Sequence, residues 1–73
     1  MILSKVEKNK TYVVKNVKAS PKDKLKLFKL GIYLKSKIYL LNKIAGGGVI
    51  VCVLGSDVVI GKNVASKIEV EKC

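Results

Sequence analysis

The sequence predicts a small all-β barrel with one short helix, on three observations. Apolar side chains alternate in short runs that end at turn residues, most clearly over residues 49–53, which are followed by Gly55. Only residues 20–30 combine a helix start signal with helical spacing. The 73 residues, 49% of them hydrophobic and only four aromatic, are rich in Val, Ile and Leu, which favours strands. This length predicts one domain over residues 1–73.

The first predicted strand covers residues 11–17. Asn9 precedes it at a predicted turn, because asparagine tolerates the left-handed backbone conformation. The apolar phase slips between Val14 and Val17, which predicts a bulge near Lys15.

A helix is predicted from residue 21 to about residue 30. Ser20 can cap it, Pro21 suits the first helical position and Asp23 stands where a capping box places its acid. Gly31 ends the helix with a positive φ. We expect Leu27 and Leu30, three residues apart, to pack into the core.

The second half of the chain reads as a series of short strands. They are predicted at residues 37–41, 49–53 and 58–60, with a closing strand that contains Ile68 and Val70. Ser56 and Asp57 supply turn chemistry before the third of these. Gly46, Gly47 and Gly48 suggest a phosphate-binding loop, but no Lys-Ser or Lys-Thr follows them and the next element is a strand. A hairpin loop is therefore predicted.

The charge is strongly positive, since fifteen basic residues against five acidic ones give a formal +10. Every basic residue is lysine. Arginine is the preferred residue for bidentate contact with phosphate or guanine, so its absence argues against specific nucleic-acid binding. A basic barrel that binds nucleic acid remains the alternative, and loose attraction to polyanions or a membrane surface is expected.

Side chains for catalysis or metal binding are scarce. There is no histidine, Asp23 and Asp57 are assigned to a cap and a turn, and Cys52 reads as a small core residue. We therefore predict no enzyme, no cofactor and no metal site, unless ligands come from two chains. With no signal peptide and no apolar run near ~20 residues, a cytoplasmic location is expected.

The order of motifs resembles the FeoA family of ferrous iron transport A proteins. A similar SH3-like domain is the C-terminal domain of DtxR-type repressors. The resemblance rests on Leu27-x-x-Leu30-Gly31-Ile32, a hairpin at Gly46-Gly47, Val49-x-Val51-x-Val53-x-Gly55 and Ala65-x-x-Ile68-x-Val70.

This resemblance implies an SH3-like barrel of about five strands and a cytosolic accessory of FeoB, the membrane iron transporter. Such an accessory acts by protein contact, and the family carries a general association with transition metal ions. Family members usually have Pro-Gly after the Leu-Gly-Ile block, where this chain has Leu34-Lys35. Lys35 could adopt the positive φ of that glycine only with strain, so this loop is expected to be remodelled.

We expect the partner to dock on Tyr33, Leu34 and Lys35 together with Gly46, Gly47 and Gly48. These residues follow the helix or cap a hairpin, so they should lie in exposed loops, where binding residues concentrate. An exposed aromatic residue is a suitable anchor. The alternative is that Tyr33 only packs over the mouth of the barrel.

Overall fold

The computed structural model describes residues 1–73 and contains one antiparallel sheet, with strands in the order β4-β3-β2-β1-β5. A short 3-10 turn at Leu3–Lys5 precedes the sheet. The elements are β1 Lys10–Val17, α1 Pro21–Lys29, β2 Lys37–Lys43, β3 Val49–Val53, β4 Ser56–Ile60, α2 Lys62–Ala65 and β5 Ile68–Lys72. The predicted all-β fold with one substantial helix is confirmed.

Strand β1 lies between β2 and β5 and joins the two halves of the sheet. Its residues 10–13 pair with β2, and its residues 12–17 pair with β5. The register shifts between Val14 and Asn16, which confirms the predicted bulge near Lys15. Because a bulge bends its strand and increases the twist, the sheet can curl around its apolar face.

The core is a cluster of 17 buried apolar residues on the inner face of the curled sheet. Strand β3 shows the alternation clearly, since Val49, Val51 and Val53 are buried while Ile50 and Cys52 are only half-buried. The other members of the core are Leu3, Val6, Tyr12, Val14, Val17, Ala19, Leu27, Ile32, Ile38, Leu40, Ile60, Ala65, Ile68 and Val70. The one hydroxyl in this cluster, on Tyr12, donates a hydrogen bond of 2.9 Å to the Glu7 carbonyl.

Helix α1 begins and ends as its sequence predicts. The Asp23 N–H donates to the Ser20 hydroxyl oxygen at 3.3 Å, and Pro21 occupies the first helical position. Gly31 follows the helix with a φ of +93°. The expectation that Leu30 packs into the core is wrong, because Leu27 alone of the helix is buried and Leu30 is 44% exposed. Leu30 caps the last turn, at the rim of the core.

Two expectations for the β3–β4 hairpin are wrong. Its turn is Leu54-Gly55, with φ values of +51° and +78°, so Ser56 and Asp57 belong to β4. Two consecutive positive φ values are typical of the tight turn that matches the twist of a hairpin. Cys52 is not a core residue, because alternation with the buried Val51 and Val53 turns it to the outer face.

We predict that Gly31→Val destabilises the fold more than Lys29→Ala does. A β-branched residue resists the positive φ at Gly31, at a cost of about 1–3 kcal/mol. Its Cβ would also lie 2.6 Å from Leu54 Cδ1, which must move. Lys29 is exposed, so its truncation should change little. Equal urea unfolding free energies for the two variants would contradict this account of the helix end.

A second prediction concerns the buried hydroxyl. Tyr12→Phe should lower the free energy of unfolding by about 1 kcal/mol, because the Glu7 carbonyl loses its donor in a partly buried site. Tyr39→Phe is the matched control, since that ring is 37% exposed. The two variants are to be compared by thermal melting. A loss as large for Tyr39→Phe would show that the Tyr12 hydrogen bond is not the cause.

Candidate docking surface

A groove of about 430 Å³ runs beside α1, and we call it the α1 groove. Most of its lining is apolar: Val17, Leu25, Phe28, Ile32, Tyr33 and Leu34, with Asn16, Pro21 and Lys24 completing it. The exposed fractions are 55% for Leu25, 61% for Phe28, 42% for Tyr33 and 58% for Leu34. Neighbouring apolar side chains with this much exposure mark a surface suited to contact with another molecule.

Helix α1 forms one wall because it has a second apolar row. Leu25 and Phe28 are three residues apart, so they lie on one side of the helix, away from the buried Leu27. The Phe28 ring packs against Tyr33, with centroids 5.3 Å apart and planes tilted by 47°. A tilted aromatic pair at this distance is favourable and keeps both rings in place.

The turn after the helix forms the other wall, and hydrogen bonds hold it firmly. The Tyr33 N–H donates to the Ser36 hydroxyl oxygen at 3.1 Å, and that hydroxyl donates to the Tyr33 carbonyl at 2.8 Å. The Lys35 N–H donates to the Val14 carbonyl at 2.8 Å, which ties the turn to β1. A wall that is ordered before binding loses less entropy when a partner arrives.

Lys35 has a φ of +71°, in the region that a lysine adopts only with strain. The expectation that this loop is remodelled is therefore wrong for the backbone of Lys35, which keeps the conformation of the glycine it replaces. Backbone strain of this kind persists only where the surrounding structure maintains it. Here the hydrogen bonds of the turn maintain it, and the Lys35 side chain is exposed next to Leu34.

The glycine hairpin lies elsewhere. Tyr33, Leu34 and Lys35 precede β2, whereas Gly46, Gly47 and Gly48 follow its other end. The seven residues of β2 separate the two sets by about 20 Å of strand. Gly47 lies against α2, since a Cβ there would be 2.8 Å from Lys62 Cγ. The two sets therefore lie at opposite ends of β2, and contact of one partner with both stays a prediction.

Sequence reasoning missed Leu25 and Phe28 as members of this surface. Their spacing of three residues was a usable signal, but it competes with Leu27 for the apolar face of the same helix. Only the position of α1 on the sheet decides which row is buried. Phe28 is the most exposed aromatic side chain of the groove.

Outside the α1 groove, few side chains are placed to bind a metal ion or to form strong ion pairs. No three Cys, Asp or Glu side chains lie close enough to share a metal ion, and the two cysteines are unpaired. Glu69 and Glu71 are near lysines, with Lys18 Nζ 3.7 Å from one carboxylate and Lys15 Nζ 3.6 Å from the other. These surface pairs contribute little to stability.

Comparison with family models finds the FeoA domain over residues 1–72. The chain belongs to the FeoA family. Membership associates it with ferrous iron transport, as its motifs had indicated. FeoA domains are non-catalytic accessory domains. Neither helix of this FeoA chain is long and apolar enough to cross a membrane.

Solved structures agree. The FeoA protein from Chlorobium tepidum is 26% identical, with a TM-score of 0.88 over 99% of this chain and 70% of its own. A crystal structure described as an iron uptake regulatory protein (FeoA) is 27% identical, with a TM-score of 0.85 over 97% of this chain and 93% of its own. No curated protein matches the sequence significantly.

A manganese-dependent transcriptional repressor has the same fold, with a TM-score of 0.89 at 24% identity. All of this chain aligns, but with only 36% of the repressor. The SH3-like architecture predicted from the sequence is confirmed.

The third prediction concerns metal. The monomer should hold no tight ferrous or zinc site, because a structural zinc takes about four ligands and no such cluster exists. Anaerobic equilibrium dialysis against Fe²⁺ or Zn²⁺, followed by elemental analysis, should find well under one ion per chain. One ion per chain that survives dialysis would contradict the prediction. Loss of that ion in Cys52→Ser or Cys73→Ser would assign it to thiolates shared between chains.

Proposed function

We propose that this FeoA chain is a single-domain cytosolic accessory of a FeoB-type ferrous iron transporter. It acts by protein contact and has no catalytic activity of its own. The observation that carries the proposal is the α1 groove, whose walls present Phe28, Tyr33 and Leu34 to solvent. Its partner is a cytosolic region of the transporter, and Tyr33 is the central anchor.

The chemistry of the groove supports protein contact. Interfaces are anchored by a few aromatic or apolar residues that become buried, surrounded by a polar rim. Phe28 and Tyr33 are such anchors, and Lys24 and Lys35 are at the rim. Tyr33 has two candidate roles, as an anchor for a partner and as a cover over the mouth of the barrel. Its packing against Phe28 agrees with both, because a ring that covers the barrel can also present its edge to a partner.

Charge supports an acidic or membrane-proximal partner. The chain carries a formal +10. This charge accelerates encounter with negatively charged surfaces, and the attraction weakens as salt rises. A regulatory role fits the description of the similar iron uptake regulatory protein. Nucleic acid fits less well, because its recognition favours arginine and freely stacking rings, and here two of the four aromatic rings pack on each other.

We predict that Tyr33→Ala and Leu34→Ser weaken binding to the purified cytosolic region of the transporter by about tenfold or more, as expected for buried anchors. Lys35→Glu should mainly slow association and reduce its dependence on salt. Affinity and rates are to be measured by surface plasmon resonance at two salt concentrations. Phe28→Ser makes the same test for the wall of the α1 groove that the helix forms.

The matched control is Leu54→Asn, which removes an apolar side chain that is 79% exposed and lies outside the α1 groove. Asparagine accepts the positive φ of that position. This control should bind normally. Normal binding by all groove variants, each shown by circular dichroism to be folded, would place the docking face elsewhere.

A further inference from the structure

The two edges of the sheet differ in how they are covered. At the β5 edge, the N-terminal segment pairs with the strand, since Ile2 bridges to Glu69 and the Val70 N–H donates to the Met1 carbonyl at 2.7 Å. At the β4 edge, no residue from 56 to 60 has a hydrogen bond to any element other than β3. Strand β4 is therefore an open edge.

The register identifies which groups of β4 face outward. Val53 and Ser56 flank the two-residue turn, so they form a hydrogen-bonded pair, and such pairs alternate along the ladder. Val58 and Ile60 then also bond to β3. Asp57 and Val59 direct their N–H and C=O groups away from the sheet, where they can pair with another strand.

A groove of about 170 Å³ lies beside this edge, and we call it the β4 slot. Helix α1 forms the opposite side with Lys26, Leu27 and Leu30, and α2 closes one end with Val64. Leu30, exposed although apolar, and Val59, 67% exposed, are both at its rim. An open strand edge beside a helix is an arrangement that accepts an added strand.

We propose that the β4 slot binds an extended acidic segment of another protein, which adds to the sheet as a strand beside β4. Main-chain hydrogen bonds to Asp57 and Val59 hold the segment, and its apolar side chains contact Leu30. This site is distinct from the α1 groove and does not depend on it.

Charge favours an acidic segment over a basic segment or a second copy of the chain. Lys26 lines the slot, Lys22 precedes that lysine by one turn on the same side of α1, and Lys62 is in α2, which closes one end. Asp23 lines the slot and Asp57 is in β4 itself, so the local excess of positive charge is modest, but the whole chain carries +10. A second copy or a basic segment would bring like charge to this surface, which opposes association.

The probe is a short fluorescein-labelled peptide of alternating valine and glutamate, titrated with the full chain and followed by anisotropy. A counterpart with lysine in place of glutamate is the charge control. We expect the glutamate peptide to bind, more weakly as salt rises, and the lysine peptide not to bind. In amide NMR spectra, the largest shifts should be those of Asp57 and Val59.

Two pairs of variants test the geometry. Val59→Pro removes one outward N–H, which an edge strand tolerates, whereas Val59→Ala keeps it. The proline variant should bind about tenfold more weakly than the alanine variant. Lys26 faces the slot, so Lys26→Glu should weaken binding of the glutamate peptide. Lys24 lines the α1 groove instead, so Lys24→Glu should not weaken it. This second pair decides the matter if the proline variant does not fold.

Several results would overturn the proposal. They are equal binding within both pairs of variants, equal binding of the two peptides, and amide shifts centred on Leu25 and Tyr33. Dimerisation of the free chain that Val59→Pro abolishes, measured by sedimentation, would assign the edge to a second copy instead.

Discussion

The structure depends on the pairing of β1 with a different strand on each side. Its first half bonds mainly to β2 and its second half to β5, with the bulge between Val14 and Asn16 at the change. This bend lets five short strands enclose 17 buried side chains. A chain of this size buries only roughly 60% of its unfolded surface, so its stability depends on keeping this small core closed.

The same strand supports the candidate docking surface. Val14 accepts a hydrogen bond from Lys35, and its own N–H donates to Ser36, so the turn that carries Tyr33 is an extension of β1. Val17, at the end of β1, forms part of the groove. Since α1 rests on the core through Leu27 alone, its second apolar row is left in solvent. The exposed row follows from a short helix on a small barrel, and it creates a surface for contact.

The two grooves flank one helix and differ in chemistry. The α1 groove offers side chains, with aromatic rings at a rigid turn, and suits a folded partner. The β4 slot offers backbone groups at an open edge, and suits an extended segment. Both lie beside lysines, so both favour negatively charged partners. The positive charge of the chain contributes to encounter rate and selectivity, while the apolar and hydrogen-bonding groups contribute most of the affinity.

The sequence by itself determined the local structure: the capped helix, the bulge near Lys15, the positive φ at Gly31, and the alternation in β3. These features depend on backbone sterics and on side chains within a few residues of one another. Only the tertiary structure decided that Leu30 and Cys52 leave the core, that Leu25 and Phe28 join Tyr33, and that glycines 46–48 lie apart from them. Those outcomes depend on where α1 lies on the sheet and on which strands become edges. Contacts between residues distant in the chain decide both, and local pattern does not encode them.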